Sequence, residues 1–309
     1  MTPPAADAPF VHPALFYRDE REYLDGTTAF VHDGLHAGEP VAVAVPGERL
    51  RMLRAALGPT ARDVHFVDMS QAGRNPGRII PGVLRAFADA QAADRVRIIG
   101  EPIWPGRSEA EYPACVQHEA LINEAFDGRP VTILCPYDAS GLAPRVLADA
   151  YATHPVVIES GRRRASPRYA PERVVASYNT PLPEPFRAAA FTFDEERLRA
   201  ARQFAVQLAG GFGLTGTRLD DLALAVSELT TNSVLHGGGS GVIRLWTEDG
   251  HVVCEVSDGG RLSDPLAGRR VPPHGIPGGR GLLMVNLVAD LVRTHCAADG
   301  TAIRLYLAL

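Results

Sequence analysis

Apolar runs alternate with helical patterns through the first half of the chain. Four runs rich in valine, isoleucine, leucine and alanine are short enough to be buried strands, at 40–46, 64–69, 95–101 and 130–138. After each run, apolar residues recur every three or four positions, which predicts helices at 48–57 and near 79–92, 108–126 and 142–152. This βα alternation predicts a layered α/β domain built on a mostly parallel sheet.

The pattern changes in the second half of the chain. Helical periodicity predicts helices at about 194–209 and 216–235, and a third helix that begins near Gly281. The stretch 241–258 predicts two strands around a Glu-Asp-Gly turn, and the stretch 292–309 predicts two more around Asp299-Gly300. Helices on one face of a mixed sheet would form an α+β sandwich.

A change of composition separates the two halves. The stretch GRRRASPRYAPERVV is basic, and three prolines fall within the five residues from Pro181 to Pro185. Such a stretch cannot continue a regular helix. We therefore predict a linker at 161–189 between domains at 1–160 and 190–309.

Composition narrows the classes of function. The 309 residues are 46% hydrophobic, so the chain can bury cores, and their net charge of −5 gives no general reason to expect binding to nucleic acid or to an acidic membrane. No apolar run is long enough to span a membrane, the N-terminus lacks the pattern of a signal peptide, and the four cysteines form no CxxC pair, so we expect a cytoplasmic protein with reduced thiols. All 31 basic residues are arginine, which excludes Walker-A loops, lysine-dependent kinases of the eukaryotic type and Schiff-base enzymes.

One predicted helix carries an unusual polar stripe. Leu222, Leu224–Val226 and Leu229 mark most of this helix as buried, yet Glu228, Asn232 and His236 recur every four residues along one face. Two further motifs follow in the chain. Asp258 ends a predicted strand before Gly259-Gly260, and the glycine-rich stretch 277–283 leads into the last helix.

Each motif has a chemical interpretation. Glycines before a helix let backbone N–H groups approach phosphate, and Arg280 adds a charged donor. The carboxylate of Asp258 can accept from an exocyclic amine of a base. The side-chain oxygen of Asn232 can bind Mg²⁺, and Glu228 can orient or deprotonate an attacking hydroxyl or water. Each motif alone is common and uninformative, whereas their order and spacing together are specific.

As a set, these motifs resemble the GHKL ATPase superfamily, which has the Bergerat ATP-binding fold, and within it the anti-sigma factor serine/threonine kinases. ELTTNSVLHG resembles the N box, SDGGR the adenine-reading box, GRGLLMVNLVAD the second glycine box, and DGTAIRLYL the closing strand, over about 190–309. The resemblance implies Glu228 as general base and Asn232 as Mg²⁺ ligand, with ATP contacts at Asn232, His236, Asp258, Gly260, Gly279, Arg280, Gly281, Leu282 and Thr301. It also makes 261–278 an ATP lid. The chain departs from the family pattern Asp-x-Gly-x-Gly at Leu262.

The resemblance implies a cytosolic ATP-dependent regulator. Such a protein binds a sigma factor, phosphorylates a Ser/Thr of an anti-sigma antagonist, or does both, and members of this group often form homodimers. Arg199 and Arg202, on the outer face of the helix at 194–210, are candidates for partner binding or simply for a solvated face. Two alternatives remain. One is a nucleotide-gated binding module without kinase activity. The other is a sensor histidine kinase with a separate acceptor, which the proline-rich linker disfavours.

The N-terminal half resembles the MEDS sensory domain, whose fold is similar to RecA-like α/β proteins. HPALFY, GEPVAVAV, GEPIWPGRS, HEALIN and LCPYDA carry this resemblance over about 10–160. It implies a sensory role with an unknown small ligand, and we expect Glu101 and Trp104 at the carboxyl end of a strand to mark its pocket.

A metal or redox site is a weaker expectation for this half. Cys115 and His118 fall three apart on one helical face beside Glu119, whereas Cys135, His12 and His154 lie elsewhere in the sequence. Satisfied interior residues are the simpler interpretation of all six.

Overall fold

The computed structural model describes residues 9–93, 95–272 and 279–309, and the chain divides into two units between Tyr178 and Asn179. The N-terminal unit is a layered α/β structure on a mostly parallel sheet. The C-terminal unit packs helices on an antiparallel sheet. The predicted fold class is confirmed for both halves.

The N-terminal unit contains the strands β1 (Phe10–Val11), β2 (Pro13–Tyr17), β3 (Val41–Val45), β4 (Val64–Asp68), β5 (Val96–Gly100), β6 (Val131–Asp138), β7 (Val156–Glu159) and β8 (Arg162–Ala165). Its α-helices are α1 (Glu20–His36), α2 (Gly47–Leu57), α3 (Met69–Ala72), α4 (Ala86–Asp89), α5 (Tyr112–Ala125), α6 (Pro144–Thr153) and α7 (Pro171–Ser177). Short 3-10 turns occupy Gly58–Asp63 and Pro76–Arg78, and a π-helical stretch at Ile80–Arg85 leads into α4.

The sheet order β4-β3-β5-β6-β2-β7-β8 explains the apolar runs in the sequence. Every pair is parallel except β7 with β8, and β1 also pairs with β6. All five residues of β3 are buried because both faces of this sheet are covered. Helix α1 is absent from the sequence-based prediction. Its buried positions are Tyr23, Thr27, Val31 and Gly34, so its apolar stripe is weak.

The predicted linker at 161–189 contains a strand and a helix. Arg162–Ala165 forms β8, an edge strand antiparallel to β7, and Pro171–Ser177 forms α7. The basic run is therefore an edge strand, where exposed charged side chains prevent pairing with another chain. Because such a strand is rich in charged residues, its composition resembles that of a linker. Residues 179–188 are irregular, as the prolines require.

The C-terminal unit contains β9 (Ala189–Asp194), α8 (Leu198–Gly211), α9 (Gly216–His236), β10 (Ser240–Glu248), β11 (His251–Asp258), α10 (Gly281–Val288), β12 (Leu291–Ala297) and β13 (Gly300–Ala308). A 3-10 turn at Glu195–Arg197 precedes α8. The order β12-β13-β11-β10-β9 is antiparallel throughout, so the expectation of a mixed sheet is wrong. Two hairpins supply four of the strands. The fifth strand, β9, pairs antiparallel with β10 and forms one edge of the sheet. The helices share one core with this sheet, which includes Ala205, Leu222, Leu229, Leu245 and Leu305.

The second face of this sheet is crossed by the proline-rich segment 179–188. The side-chain amide of Asn179 donates to the carbonyl of Cys296 at 2.7 Å and accepts from its N–H at 2.9 Å. Farther along, Arg304 donates to the carbonyl of Pro183 at 2.8 Å while pairing with the buried carboxylate of Glu255 at 2.7 Å. Segment 179–188 is therefore a strap that crosses this face of the sheet and is hydrogen-bonded to β12 and β13.

Candidate functional site

A cavity of about 480 Å³ lies where α9, the ends of β11 and β13, and the start of α10 meet. This volume falls within the range of about 300–1,000 Å³ that is typical of small-molecule pockets. Eight of the ten predicted site residues line it: Asn232, His236, Asp258, Gly260, Gly279, Gly281, Leu282 and Thr301. The structure therefore brings together motifs that are separated by up to 69 positions in the sequence (301 − 232).

The polar stripe runs along α9 as the sequence pattern requires. Leu222, Ala225 and Leu229 are buried in the core, whereas Glu228 and Asn232 are half-buried and His236, the last helical residue, is exposed. The stripe therefore lies off the core-facing side of the helix, and its last two members line the cavity.

Glu228 is close to the cavity but does not line it. A Cβ atom added to Gly281 would lie 2.6 Å from Oε2 of Glu228 and 3.3 Å from Nδ2 of Asn232. The first turn of α10 thus packs directly on the carboxylate, and a glycine here permits that close approach. The second predicted residue outside the lining is Arg280, which is exposed immediately before α10.

Asp258 is held in a fixed orientation at the end of β11. The hydroxyl of Ser233 donates to its Oδ2 at 2.6 Å, and the backbone N–H of Gly260 donates to its Oδ1 at 2.8 Å. Each carboxylate oxygen has two lone pairs, so both keep capacity to accept another donor. Ser233 was not predicted as a site residue. Its position next to Asn232 on α9 was the available signal.

Gly260 allows the turn after β11 to cross the end of α9. A Cβ there would lie 2.5 Å from the carbonyl oxygen of His236 and 2.6 Å from Cα of Gly237. Backbone atoms cannot give way at such distances, so any larger residue would push the turn away from the helix. The Gly260 position therefore fixes where Asp258 stands relative to the polar stripe.

Thr301 joins the closing strand to the loop after Asp258. Its hydroxyl donates to the carbonyl of Gly260 at 2.9 Å and accepts from the N–H of Leu262 at 3.3 Å. Leu262 occupies the position where the resemblance expects glycine. Within the described ranges, Ser160 and Asp249 alone among non-glycine residues have positive φ, so the backbone at Leu262 does not require glycine.

The described part of the predicted lid, 261–272, contributes several lining residues, and 273–278 lies outside the described residues. Asn286 on α10 is buried and donates to the carbonyl of Gly268 at 3.1 Å. This bond attaches the lid to the helix that follows it. Arg199 and Arg202 are exposed on α8, as expected from the sequence.

Replacing Ser233 with alanine removes one of the two donors that orient Asp258. We expect nucleotide affinity to fall about 3–10-fold, which corresponds to one hydrogen bond of about 0.5–1.5 kcal/mol. Ser227→Ala is the matched control, because the Ser227 hydroxyl on the same helix donates to the carbonyl of Ala223 at 2.8 Å. Calorimetric titration with ATP measures the effect. Equal losses in both variants would contradict a specific role for Ser233.

In the N-terminal unit, Glu101 lies in a buried aromatic and charged cluster. Tyr23 donates to its carboxylate at 3.4 Å, and the guanidinium of Arg49 stacks on the rings of Tyr23 and Tyr17. Burial raises the pKa of Glu101 to about 8, and the charge of Arg49 offsets part of that rise. Trp104 is the other predicted pocket residue. The guanidinium carbon of Arg107 lies 4.0 Å from the centroid of its ring, in a cation–π contact. A cavity of about 660 Å³ in this unit has other lining residues, among them Phe30, Arg97 and Leu134.

The raised pKa of Glu101 predicts a pH-dependent stability. Because this pKa lies above the 4.5 of an ordinary glutamate, the free energy of unfolding should fall as the pH rises from about 4.5 to about 8. Glu101→Gln removes this penalty and should be more stable than the wild type by about 5 kcal/mol at pH 9, with little difference near pH 4.5. Urea unfolding of the full chain at both pH values measures it. A difference that does not vary with pH would contradict the assignment.

Four of the six residues named in the metal expectation come together in the structure. Glu119 faces His12, Cys135 and His154, and the four ligand atoms lie within 4.8 Å of one another. Cys115 and His118 share the helix α5 with Glu119 but do not belong to this group. Spacing along a helix could not reveal partners that arrive from a strand and from two connections elsewhere in the chain.

Comparisons with known proteins agree with these two units. Residues 11–155 match the family model for MEDS, the MEthanogen/methylotroph, DcmR Sensory domain. Residues 191–307 match the family model for the histidine kinase-like ATPase domain. The resemblance of each half to its family is confirmed.

The solved structures include a similar chain, the crystal structure of the RsbU and RsbW domains of Rv1364c from Mycobacterium tuberculosis. It is 20% identical, with 40% of this chain covered and a TM-score of 0.31. This chain spans 32% of that one. Comparison with curated proteins gave no match. Among the described residues, no helix has the length and apolar character needed to cross a membrane.

Proposed function

We propose that the C-terminal unit binds Mg-ATP and transfers its γ-phosphoryl group to a Ser/Thr hydroxyl of a partner protein, as an anti-sigma regulatory factor does. The observation that carries this proposal is the meeting of Asn232, Asp258, Gly279, Gly281 and Leu282 at one cavity, with Glu228 one helical turn from Asn232. The match to the histidine kinase-like ATPase domain over residues 191–307 supports ATP as the ligand.

The side chains fit a nucleotide in a defined direction. Asp258, fixed by Ser233 and Gly260, would accept from the amino group of adenine at the end of β11. Thr301 holds the neighbouring loop and would stand on the same side. At the other side, backbone N–H groups at the start of α10 would face the phosphates, since a helix N-terminus favours negative charge. Gly279, Gly281 and Leu282 line that part of the cavity.

Asn232 and Glu228 would serve the reacting end. The side-chain oxygen of Asn232 would hold Mg²⁺, which neutralises charge on the phosphate oxygens when bound. Glu228 would accept the proton of the attacking hydroxyl, and this requires the start of α10 to move off its carboxylate. Arg280, exposed immediately before α10, would add a contact to phosphate, and His236, exposed at the end of α9 beside Gly260, would contact the nucleotide or the lid.

The N-terminal unit would control this activity in response to a small ligand, and the partner would be a sigma factor, an anti-sigma antagonist, or both. The chain would act in the cytoplasm, where its four free cysteines stay reduced. Such a kinase could also act as a homodimer.

A second candidate is a nucleotide-gated binding module without kinase activity. The packing of Gly281 against Glu228 favours it, because a covered carboxylate cannot reach a hydroxyl on another protein. Both candidates require ATP binding, and they differ only in phosphoryl transfer.

The test is a titration of the full-length chain with Mg-ATP, followed by incubation with [γ-³²P]ATP and the candidate sigma factor or antagonist. Binding together with an acid-stable phosphoprotein supports the kinase. Binding without transfer supports the second candidate, and an acid-labile product would indicate a histidine kinase. The absence of ATP binding would overturn both leading candidates.

A further inference from the structure

Four side chains with metal-ligating atoms meet inside the N-terminal unit. His12 lies between β1 and β2, Glu119 on α5, Cys135 on β6 and His154 between α6 and β7. Their exposed fractions are 0%, 0%, 1% and 0%, and one ligand atom from each lies within 4.8 Å of the others. These four residues form a buried quartet.

Hydrogen bonds on the far side of His12 set its tautomer. The amide nitrogen of Asn123 donates to the carbonyls of Thr153 at 2.8 Å and Ala120 at 3.1 Å. Its oxygen therefore faces Nδ1 of His12, 3.2 Å away, and Nδ1 must carry the hydrogen. In the neutral ring, Nε2 of His12 then presents a lone pair to the quartet.

The ring of His154 is fixed in the same way. Its Nδ1 lies 2.9 Å from the carbonyl oxygen of Ala150, which can only accept, so this nitrogen carries the hydrogen. Its Nε2 therefore also presents a lone pair to Glu119 and its neighbours. A histidine whose Nδ1–H is bonded to a carbonyl is the usual arrangement of a metal ligand.

The quartet is short of hydrogen-bond donors. Among the described residues, no hydrogen bond of good geometry reaches either carboxylate oxygen of Glu119, although Nε2 of His154 lies 3.0 Å from Oε2 and the buried hydroxyl of Tyr137 interacts with the same carboxylate. The thiol of Cys135 has one proton, and its sulfur lies 3.4 Å from Nε2 of His12. With both Nε2 atoms unprotonated, the thiol and the phenol are the donors beside this carboxylate, and a cation among the four ligand atoms would satisfy the carboxylate together with both lone pairs.

Two of the printed separations match those around a small tetrahedral ion, whereas Nε2 of His154 lies closer to Oε2 of Glu119, at 3.0 Å, and the whole group fits within 4.8 Å. With Zn–N and Zn–O bonds of about 2.0–2.2 Å and Zn–S of about 2.3 Å, neighbouring ligand atoms lie about 3.3–3.7 Å apart. The separations from Nε2 of His12 are 3.4 Å to Cys135 and 3.5 Å to Glu119. Two imidazoles and a thiol exclude Mg²⁺ and Ca²⁺ and suit zinc or a similar transition metal.

We propose that His12, Glu119, Cys135 and His154 form a tetrahedral binding site for Zn²⁺. The site uses four protein ligands and is closed to solvent, which is typical of a structural or regulatory zinc rather than a catalytic one. It joins four segments that span 12–154, nearly the whole range matched to the sensory domain. Zinc would therefore stabilise the fold of this unit.

Zinc binding also has a proton balance. The Cys135 thiol releases one proton as the Zn–S bond forms, whereas the two imidazoles and the carboxylate bind without loss of a proton. Below the pKa of the thiol, the apparent affinity should rise about tenfold for each unit of pH.

The experiment uses the full-length chain after removal of metals with a chelator. Titration with Co²⁺ should give the intense visible bands of a tetrahedral site and a thiolate charge-transfer band, saturating at one ion per chain. Zn²⁺ should then displace Co²⁺ and abolish the bands. At a free zinc concentration of about 100 times Kd, the unfolding midpoint of the N-terminal unit should rise by about 5–10 °C.

Variants assign the ligands. Cys135→Ser should lose the charge-transfer band and at least about 100-fold in affinity, and Glu119→Gln should lose affinity while keeping the band at high Co²⁺. Cys115→Ser, which replaces a buried cysteine of the same unit outside the quartet, should leave the spectrum unchanged. If Cys135→Ser fails to fold, the proposal is tested by the loss of affinity in Glu119→Gln and by the binding of one ion per wild-type chain. Failure of the wild type to bind Co²⁺ or Zn²⁺, or loss of the band in Cys115→Ser alone, would overturn the proposal.

Discussion

Replacing Asn232 with alanine should lower the affinity of the chain for Mg-ATP at least about 100-fold. Mg²⁺ takes few ligands from a protein, because phosphate oxygens and waters supply the others. Among the predicted site residues, Asn232 is the amide that lines the cavity one turn from Glu228. Its loss would therefore remove the proposed protein ligand to the ion.

The measurement is a calorimetric titration of wild type and variant with Mg-ATP, repeated with ATP in the presence of EDTA. If the asparagine acts through the metal, the difference between the two proteins should largely disappear without Mg²⁺. Thr231→Ala is the matched control, because Thr231 is the preceding residue on α9 and is exposed. Equal Mg-ATP affinities in wild type and Asn232→Ala would contradict the proposed magnesium site.

Replacing Glu228 with glutamine should slow phosphoryl transfer about 10²–10⁴-fold and leave the affinity for Mg-ATP within about threefold. Glutamine keeps the shape of the side chain and its packing against Gly281 but cannot accept a proton. The variant therefore separates the two candidate functions, which share every nucleotide contact. A single-turnover assay with labelled ATP and the partner protein measures the transfer rate.

The outcome of the Glu228 experiment has a clear meaning in either direction. A large loss of transfer with retained binding establishes Glu228 as the general base. An unchanged rate, or signalling in the cell that does not depend on this carboxylate, favours the nucleotide-gated binding module. A parallel loss of binding would mean instead that Glu228 holds the cavity together, and the Ser233→Ala result would then show whether the adenine side is still intact.

The buried quartet in the N-terminal unit can be tested without any assay of the C-terminal site. Metal binding is measured from Co²⁺ absorption spectra and from the unfolding midpoint, whereas nucleotide binding is measured by calorimetric titration. Asn232→Ala should leave the Co²⁺ spectrum unchanged, and Cys135→Ser should leave Mg-ATP affinity unchanged if it folds. The two proposals can therefore fail separately.

The sequence by itself determined every element of the C-terminal unit except the edge strand β9, and it determined the order of the motifs. Strand and helix periods are local properties, so the stripe of Glu228, Asn232 and His236 and the turn after Asp258 followed from spacing alone. Its resemblance to a known family added the expectation that these motifs share one ligand. The structure places eight of the ten predicted residues around one cavity.

Tertiary structure alone decided which distant residues meet. The sheet order puts β2 between β6 and β7, and this brings His12, Cys135 and His154 together on Glu119 although the quartet spans 142 positions (154 − 12). The bond from Ser233 to Asp258, the packing of Gly281 on Glu228 and the strap at 179–188 arise in the same way. Local periodicity fixes which side of an element is buried, but it does not contain the order in which strands pair, and that order sets these contacts.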